Sequence, residues 1–225
     1  WENLARKLAH EIKNPLTPIQ LTIDKLKSKY SEKIAEHEKN DFSKSLLIIG
    51  KQIKQIENLV NEFSDFARMP KPILKDNNLV SLIKDNIKLT GELDSEIAIN
   101  FKLNKPEVLL NSDSEQLSRV FLNLLKNAIE SVQEKKIGND NFVGKIDVTL
   151  NENEENINFI IVDNGLGFGI LADNIKNILN PYFTTKKKGT GLGLAIVNKI
   201  INDHNGKINF IPLEDGAKIE IIFTR

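Results

Sequence analysis

Apolar residues recur along residues 46–67 at spacings that alternate between three and four positions. They are Leu46, Ile49, Ile53, Ile56, Val60, Phe63 and Ala67. This period places them along one seam of an α-helix, the pattern by which helices pack against partner helices. A similar stripe comes earlier, formed by Leu8, Ile12, Leu16, Ile19, Ile23 and Leu26. Residues 1–68 are therefore predicted to form two helices, joined by a polar hairpin loop over residues 31–40.

Two helices with one narrow stripe each cannot bury a core on their own. We expect a symmetric homodimer in which two hairpins form a four-helix bundle; a hairpin packed only on a second domain is the alternative. The string R-M-P-K-P at residues 68–72 ends the second helix, because proline removes a backbone donor and restricts the residue before it. It predicts a boundary between a domain over residues 1–70 and a domain over residues 71–225.

Beyond this boundary, helical and strand-like periods alternate. Helices are predicted over residues 80–89, 115–132 and 192–201. Strands are predicted over residues 97–103, 145–150, 157–162, 207–211 and 219–223. Elements in this proportion indicate a sheet with helices on one face. The predicted fold class is α+β, a helical hairpin followed by a two-layer α/β sandwich.

Composition narrows the possible functions. The 225 residues include 31 Lys plus Arg and 31 Asp plus Glu, a balance that gives no support to nucleic-acid binding. Cysteine is absent from the sequence, which excludes disulfides and thiolate metal sites. No apolar run approaches the length of a membrane span, and no signal peptide is recognisable. Because the chain begins with Trp1, we expect a fragment whose sensory part lies upstream and supplies any membrane attachment.

One histidine lies in a distinctive setting on the first predicted helix. Residues 10–15 read H-E-I-K-N-P, which puts Glu11 beside His10 and Asn14 four positions on, on the same helix face. A neutral imidazole is a good nucleophile toward phosphorus near pH 7, and an adjacent carboxylate can hold the proton of its other nitrogen. Pro15 removes the helical partner of the Glu11 carbonyl, so a bend is expected there. Taken alone, a histidine in this position is more typical of an ordinary exposed residue on a charged helix face.

The other two histidines are predicted to be structural. His37 falls in the polar hairpin loop and is expected to be solvated. His204 precedes Asn205 and Gly206, a pair typical of a helix C-terminal cap.

A polar stripe follows one face of the helix predicted over residues 115–132. Asn123, Lys126, Asn127 and Glu130 share this stripe. The amide oxygen of Asn127 is a hard ligand suited to Mg²⁺. Asn123 is expected to support it, and Lys126 to meet phosphate as a point charge. Without further context, such a stripe is typical of the solvent-exposed face of a helix.

Two glycine-rich strings complete the candidate pocket. Asp163 opens D-N-G-L-G after an apolar strand, where its carboxylate can accept from the exocyclic amine of adenine. Gly165 and Gly167 allow close backbone approach, although such a string is also a common turn. The second string, G-T-G-L-G-L at residues 189–194, precedes a helix whose N-terminal N–H groups favour phosphate. Its candidate residues are Thr190, Gly191, Leu192, Gly193 and Leu194. Neither a Walker A loop nor the Rossmann glycine spacing is present.

The segment between the two strings, residues 168–188, is predicted to be a lid that orders on ATP. It contains P-Y-F-T-T-K at residues 181–186, and Lys186 is expected to touch phosphate.

In this order, the four motifs resemble the catalytic core of sensor histidine kinases, and the resemblance covers nearly the whole chain. The opening residues 1–21 are similar to nitrogen-regulation sensor kinases of the NtrY type. The resemblance implies an ATP-binding domain of the histidine kinase/Hsp90/gyrase type that uses ATP and Mg²⁺. It implies phosphorylation of His10 with Glu11 as base, and transfer to an aspartate of a response regulator receiver domain. It also implies regulator dephosphorylation assisted by Asn14, in the cytoplasmic portion of an inner-membrane sensor protein.

The sequence differs from related proteins at two positions, and these differences bear on the alternative functions. Related ATPases carry a glutamate at the position of Asn123, and an amide cannot accept a proton from water, so we expect transfer rather than hydrolysis. Several histidine kinases carry a lysine where Glu130 stands, which puts a phosphate contact there in doubt. The alternatives are a dimeric regulator-binding scaffold with a decayed ATP pocket and a hydrolytic ATPase.

Overall fold

A computed structural model describes residues 2–91, 96–139, 141–168, 177–181, 183–184 and 189–225, with side chains from residue 7 onward. The chain divides into two compact units, Trp1–Pro70 and Lys71–Arg225. Among the described residues, no helix combines the length and apolarity needed to cross a bilayer.

The first unit is a helical hairpin of α1 (Glu2–Tyr30) and α2 (Glu36–Ala67). Leu16 and Ile23 of α1 form a buried cluster with Leu46 and Ile53 of α2, and Phe42 packs against it. Leu16 and Ile23 are seven residues apart, as are Leu46 and Ile53. One row of side chains from each predicted stripe therefore packs between the two helices. Val60 of the second stripe is buried as well, at 3% accessibility. Other stripe positions remain exposed within the hairpin; Ile12, Ile19, Ile49 and Ile56 are each 41–45% accessible.

The predicted loop over residues 31–40 is too long, because α2 already begins at Glu36. Glu36 and Glu38 lie in its first turn, where negative charge is favoured by the helix dipole. His37 is therefore a helical residue rather than a loop residue, although its side chain is exposed. Helix α1 continues through Pro15 and Pro18 without interruption.

The second unit is a two-layer sandwich, as predicted. Its main sheet has five strands: β2 (Ala98–Leu103), β4 (Lys145–Glu152), β5 (Asn156–Asp163), β6 (Gly206–Pro212) and β7 (Ala217–Thr224). Their order across the sheet is β2-β4-β5-β7-β6. Only the β2–β4 pair is parallel among the neighbours in this sheet. Two strands that the sequence analysis missed, β1 (Lys75–Asn78) and β3 (Leu109–Ser112), form a separate antiparallel pair.

Helices α3 (Leu79–Gly91), α4 (Ser114–Lys136) and α5 (Gly193–Asp203) accompany the sheet. Side chains alternate strictly along β4, β5 and β7, and every second one is buried. The buried face meets α4, where Phe121 packs on Phe159 with ring centroids 4.8 Å apart. The core residues of α4 include Leu117, Val120, Leu124, Leu125, Ile129 and Val132.

Candidate functional site

The predicted polar stripe lies on the accessible side of α4. Lys126 and Glu130 are exposed and Asn123 and Asn127 are half-buried, while the apolar residues between them face the core. The start of this helix is fixed by Asp113, whose carboxylate accepts hydrogen bonds from the N–H groups of Glu115 and Gln116. The helix is therefore a rigid support for the polar stripe.

Asn123 connects α4 with the glycine string before α5. Its Nδ2 donates to the Arg119 carbonyl at 2.8 Å. Its Oδ1 faces Gly193, where an added Cβ would lie only 3.0 Å from that oxygen. A side chain at position 193 would therefore press on Asn123, and glycine permits this close approach.

The glycine string itself turns sharply into α5. Gly191 has a φ of 70°, in the left-handed region that favours glycine. The Leu192 N–H lies 3.4 Å from Thr190 Oγ1, and the Leu192 side chain is fully buried. Leu192 as a whole is inaccessible in this structure, so its contact with a ligand stays a prediction. Gly193 and Leu194 then form the first turn of α5.

Asp163 is the last residue of β5, on the face of the sheet that α4 covers. It is 7% accessible, and its Oδ1 accepts from the Gly165 N–H at 2.9 Å. Ser131 of α4 lies on the other side of this loop, with Oγ 3.3 Å from Asp163 Oδ1 and 3.3 Å from the Gly167 nitrogen. A Cβ on Gly165 would overlap Ser131, and one on Gly167 would overlap the Gly216 carbonyl. The three predicted residues of this loop are thus brought together.

Sequence reasoning missed Ser131 and Lys135. They follow Asn127 at successive steps of four, and this helical spacing was the available signal. Lys135 Nζ donates to the Asn164 carbonyl at 2.8 Å and forms an ion pair with Asp215. The Asn164 side chain is held as well, by the Lys145 N–H at 2.8 Å and the Val143 carbonyl at 2.9 Å. The loop after β5 is therefore held by hydrogen bonds to α4 and to the start of β4.

A cavity of about 550 Å³ lies at the Asn123 end of the stripe. Leu82 of α3 lines it, together with Ser118, Arg119 and Lys126 of α4. Glu115 lines the cavity too, so its charged side chains are two cations, Arg119 and Lys126, and one carboxylate. The excess of positive charge favours an anionic ligand. Among the described residues, no group of three or more His, Cys, Asp or Glu side chains is placed to hold a metal ion.

The candidate acceptor lies in the other unit. His10, Glu11 and Asn14 are all exposed on α1. Lys7 Nζ lies 3.9 Å from Glu11 Oε1, one turn earlier on the same helix. An exposed imidazole beside a carboxylate is open to reaction with a second domain or another protein. Lys186 of the predicted lid lies outside the described residues.

Two protein families match this chain. Residues 1–72 match the His Kinase A (phospho-acceptor) domain, and residues 112–224 match the histidine kinase-, DNA gyrase B-, and HSP90-like ATPases. The first match ends two residues beyond the first structural unit, and the second match falls within the second unit. His10 and the nucleotide motifs therefore lie in different matched regions.

Relatives with similar sequences cover almost all of the chain. An NtrY-like sensor histidine kinase of Rickettsia prowazekii (strain Madrid E) is 39% identical over 99% of this chain and 36% of its own length. The nitrogen regulation protein NtrY of Azorhizobium caulinodans is 36% identical over 98% of this chain and 28% of its own length. The chain thus spans about a third of the length of these curated relatives.

Solved structures show the same fold. The catalytic domain of histidine kinase ThkA is 28% identical, with a TM-score of 0.57 over 67% of this chain and 95% of its own. Full-length ShkA, solved in complex with AMPPNP, has a TM-score of 0.71 over 99% of this chain and 45% of its own, at 19% identity. With a phospho-acceptor hairpin followed by this ATPase domain, the chain belongs to the sensor histidine kinases, and its curated relatives include NtrY-type members of that family.

Proposed function

We propose that this chain is the catalytic core of a homodimeric ATP:protein-histidine phosphotransferase. The γ-phosphoryl group passes from ATP to His10 and then to an aspartate of a response regulator receiver domain. The observation that carries the proposal is the meeting of Asn123 with Gly193 near the middle of α4 and of Ser131 with Asp163 two turns further along it. One helix thereby supports both a phosphate loop and a base-recognition loop.

The parts of the pocket suit the parts of ATP. The buried carboxylate of Asp163 is an acceptor for the exocyclic amine of adenine. Backbone N–H groups from Thr190 to Leu194 stand at the N-terminus of α5, where an anionic phosphate is favoured. Glycine at position 193 lets this backbone approach Asn123, because an added Cβ would lie 3.0 Å from Asn123 Oδ1.

Asn127 is the residue proposed to hold Mg²⁺. Its half-buried amide lies on the same face as Asn123 and one turn before Ser131, between the two loops. An amide oxygen suits a hard cation that takes its remaining ligands from water and phosphate. When bound, Mg²⁺ neutralises charge on the phosphates, which eases nucleophilic attack on phosphorus.

The transfer step needs His10 as a neutral nucleophile. One imidazole nitrogen forms a bond to the γ-phosphorus, the bond from that phosphorus to the β,γ-bridging oxygen breaks, and ADP leaves. The proton on the other ring nitrogen is accepted by Glu11, the adjacent carboxylate. Asn14 shares the exposed face of His10, where its amide can orient a water for hydrolysis of the regulator phosphate.

The structure favours this reading over the two alternatives. A hydrolytic ATPase needs a proton acceptor at position 123, but Asn123 is an amide whose Nδ2 is hydrogen-bonded within α4. Against a scaffold with a decayed pocket, the nucleotide motifs are complete: Asn127, Asp163 and the glycine string from Gly189 are all present. The exposed apolar positions Ile12, Ile19, Ile49 and Ile56 support dimerisation.

The chemical stability of a phosphoryl label tests the proposal. The chain is incubated with γ-labelled ATP and Mg²⁺, and the label on the protein is then exposed to acid and to alkali. A phosphohistidine should be lost in acid, survive in alkali and pass to an added receiver domain. An acid-stable label, or release of free phosphate without protein labelling, would contradict the proposed function.

A further inference from the structure

Ser131 makes several contacts with the loop that carries Asp163. Its hydroxyl donates to Asp163 Oδ1 at 3.3 Å and accepts from the Gly167 N–H at the same distance. Its backbone carbonyl accepts from the Leu166 N–H at 3.3 Å. Gly165 lies directly against it, so closely that a Cβ there would overlap the serine. A single residue of α4 thus meets the loop over most of its length.

The opposite side of the loop is closed by the turn between β6 and β7. Gly216 has a φ of 97°, and a Cβ on it would overlap the Asp163 carbonyl. Gly167, with a φ of 67°, meets the Gly216 carbonyl in the same way. The loop is therefore clamped between Ser131 and Gly216 by contacts of the protein itself. A loop held in this manner is organised without a ligand's help.

The hydroxyl of Ser131 also bears on the direction of the Asp163 carboxylate. Oδ1 of that carboxylate receives two donors, the Gly165 N–H at 2.9 Å and the Ser131 hydroxyl. Two donors on one oxygen fix the rotation of the carboxylate plane, and hence the direction in which its second oxygen points. Recognition of an adenine amine depends on that direction, since a hydrogen bond weakens steeply when its angle departs from linear.

We propose that Ser131 is a positioning residue for adenine recognition, acting through the Asp163 carboxylate. The inference rests on the proposed function, in which Asp163 accepts from the adenine amine. Ser131 also follows Asn127 by one helical turn, so the same face of α4 sets the position of the base and of the phosphate end. Loss of the hydroxyl should therefore weaken recognition of the amine while phosphate binding is kept.

The test compares two nucleotides that differ in one group. ATP carries the 6-amino group, and purine riboside triphosphate lacks it. The dissociation constants of both are measured for the full chain by titration calorimetry with Mg²⁺. Ser131→Ala should raise the dissociation constant for ATP about 3- to 10-fold, because the hydrogen bond from the 6-amino group to Asp163 is weakened. The dissociation constant for purine riboside triphosphate, which cannot form that bond, should be nearly unchanged. The ratio of the two constants should therefore move closer to one.

Two further variants separate positioning from a general loss of structure. Ser131→Thr keeps a hydroxyl and should retain most of the preference for ATP. Ser81→Ala removes a hydroxyl of α3 that donates to the Asn78 carbonyl of β1, and it should leave both constants unchanged. An equal loss for both nucleotides in Ser131→Ala, or no loss, would overturn the inference while the proposed function stands. If the wild-type chain bound neither nucleotide, both proposals would fall together.

Discussion

The Nε2 atom of His204 accepts a hydrogen bond from the Asp113 backbone N–H at 2.9 Å, across 91 residues of sequence. Its Nδ1 lies 2.8 Å from the Ile200 carbonyl. Because an N–H can only donate and a carbonyl can only accept, the imidazole is neutral with its proton on Nδ1. The ring therefore ties the end of α5 to the start of α4, the two helices that build the pocket.

Asp113 brings a third segment to the same point. Its Oδ2 accepts from the Ile73 N–H at 2.9 Å, just after the boundary between the two units. Burial acts to raise the pKa of Asp113, but hydrogen bonds from the N–H groups of Ile73, Gln116 and Glu115 outweigh it and lower that pKa. The segment after the hairpin, α4 and α5 are thus fixed at one junction.

Replacement of His204 should destabilise the ATP-binding unit. His204→Leu keeps an apolar volume but leaves the Asp113 N–H without its partner. It also removes the ring N–H that donates to the Ile200 carbonyl, which keeps only the backbone N–H of residue 204. We expect the free energy of unfolding to fall by about 1–3 kcal/mol, the cost of unsatisfied buried polar groups. Urea unfolding followed by circular dichroism measures it. His37→Leu, at an exposed histidine of α2, is the control and should change little; equal losses in both variants would argue against this junction.

Acid stability should depend on Glu152. Glu152 is only 5% accessible, and Lys105 Nζ lies 2.8 Å from its carboxylate. The hydrogen bond from Lys105 has the largest effect and lowers the pKa of Glu152. Burial acts to raise this pKa, and the charge of Arg225 lowers it further. A carboxylate with a lowered folded-state pKa stabilises the fold above its unfolded pKa of about 4.3. That stabilisation is lost as the pH falls through the folded value.

The unfolding free energy of Glu152→Gln should accordingly be lower than wild type near pH 7, and the gap should close as the pH falls below about 4. Denaturant unfolding at a series of pH values measures this. Glu154→Gln, at an exposed neighbour, should keep the wild-type profile. A constant gap between Glu152→Gln and wild type across the whole range would show that the ion pairs do not set the acid response.

The exposed apolar row of the hairpin should form the dimer interface. Ile56 is 43% accessible on the side of α2 that the hairpin core leaves uncovered. Ile56→Glu would place a charge in the interface, and we expect the dissociation constant of the dimer to rise at least about 100-fold. Sedimentation equilibrium measures it. Leu47→Glu introduces the same charge at another exposed position of α2, away from the heptad seam, and should remain dimeric.

The two polar neighbours of His10 should have separable roles. Glu11→Ala removes the proposed base and should slow phosphorylation of His10 by about 10²- to 10⁴-fold. Asn14→Ala should keep phosphorylation and lose much of the dephosphorylation of a regulator. Rates of both reactions with one receiver domain measure this. A folded Asn14→Ala dimer with undiminished dephosphorylation would remove Asn14 from the mechanism; thermal melts by circular dichroism establish folding.

Periodicity predicted most of the fold, because the main elements bury one face. The seven-residue repeat of Leu46 and Ile53 and the alternation along β5 are both consequences of one-sided burial. Strand β1 was missed because its sequence, K-D-N-N, carries no apolar alternation. The start of α2 was placed too late because residues 36–40 are polar on every side, which hides the helical period.

The sequence predicted the individual motifs of the candidate site but not the contacts that hold them together. Asn123, Asp163 and Gly193 stand in short motifs, and each motif is visible in the sequence. Ser131 is an ordinary helical serine until the loop after β5 is folded against it. His204 was correctly expected at a helix end, but its partner Asp113 lies too far away in sequence for any local pattern to reveal.

The central claim is that phosphate moves from ATP to His10, and labelling of the His10→Gln chain tests it most directly. Wild type, His10→Gln and His37→Gln are incubated with γ-labelled ATP and Mg²⁺, and nucleotide binding is measured in parallel by calorimetry. We predict that His10→Gln binds ATP like wild type but takes up no label, while His37→Gln is labelled normally. Labelling of the His10→Gln chain at the wild-type level would contradict the account.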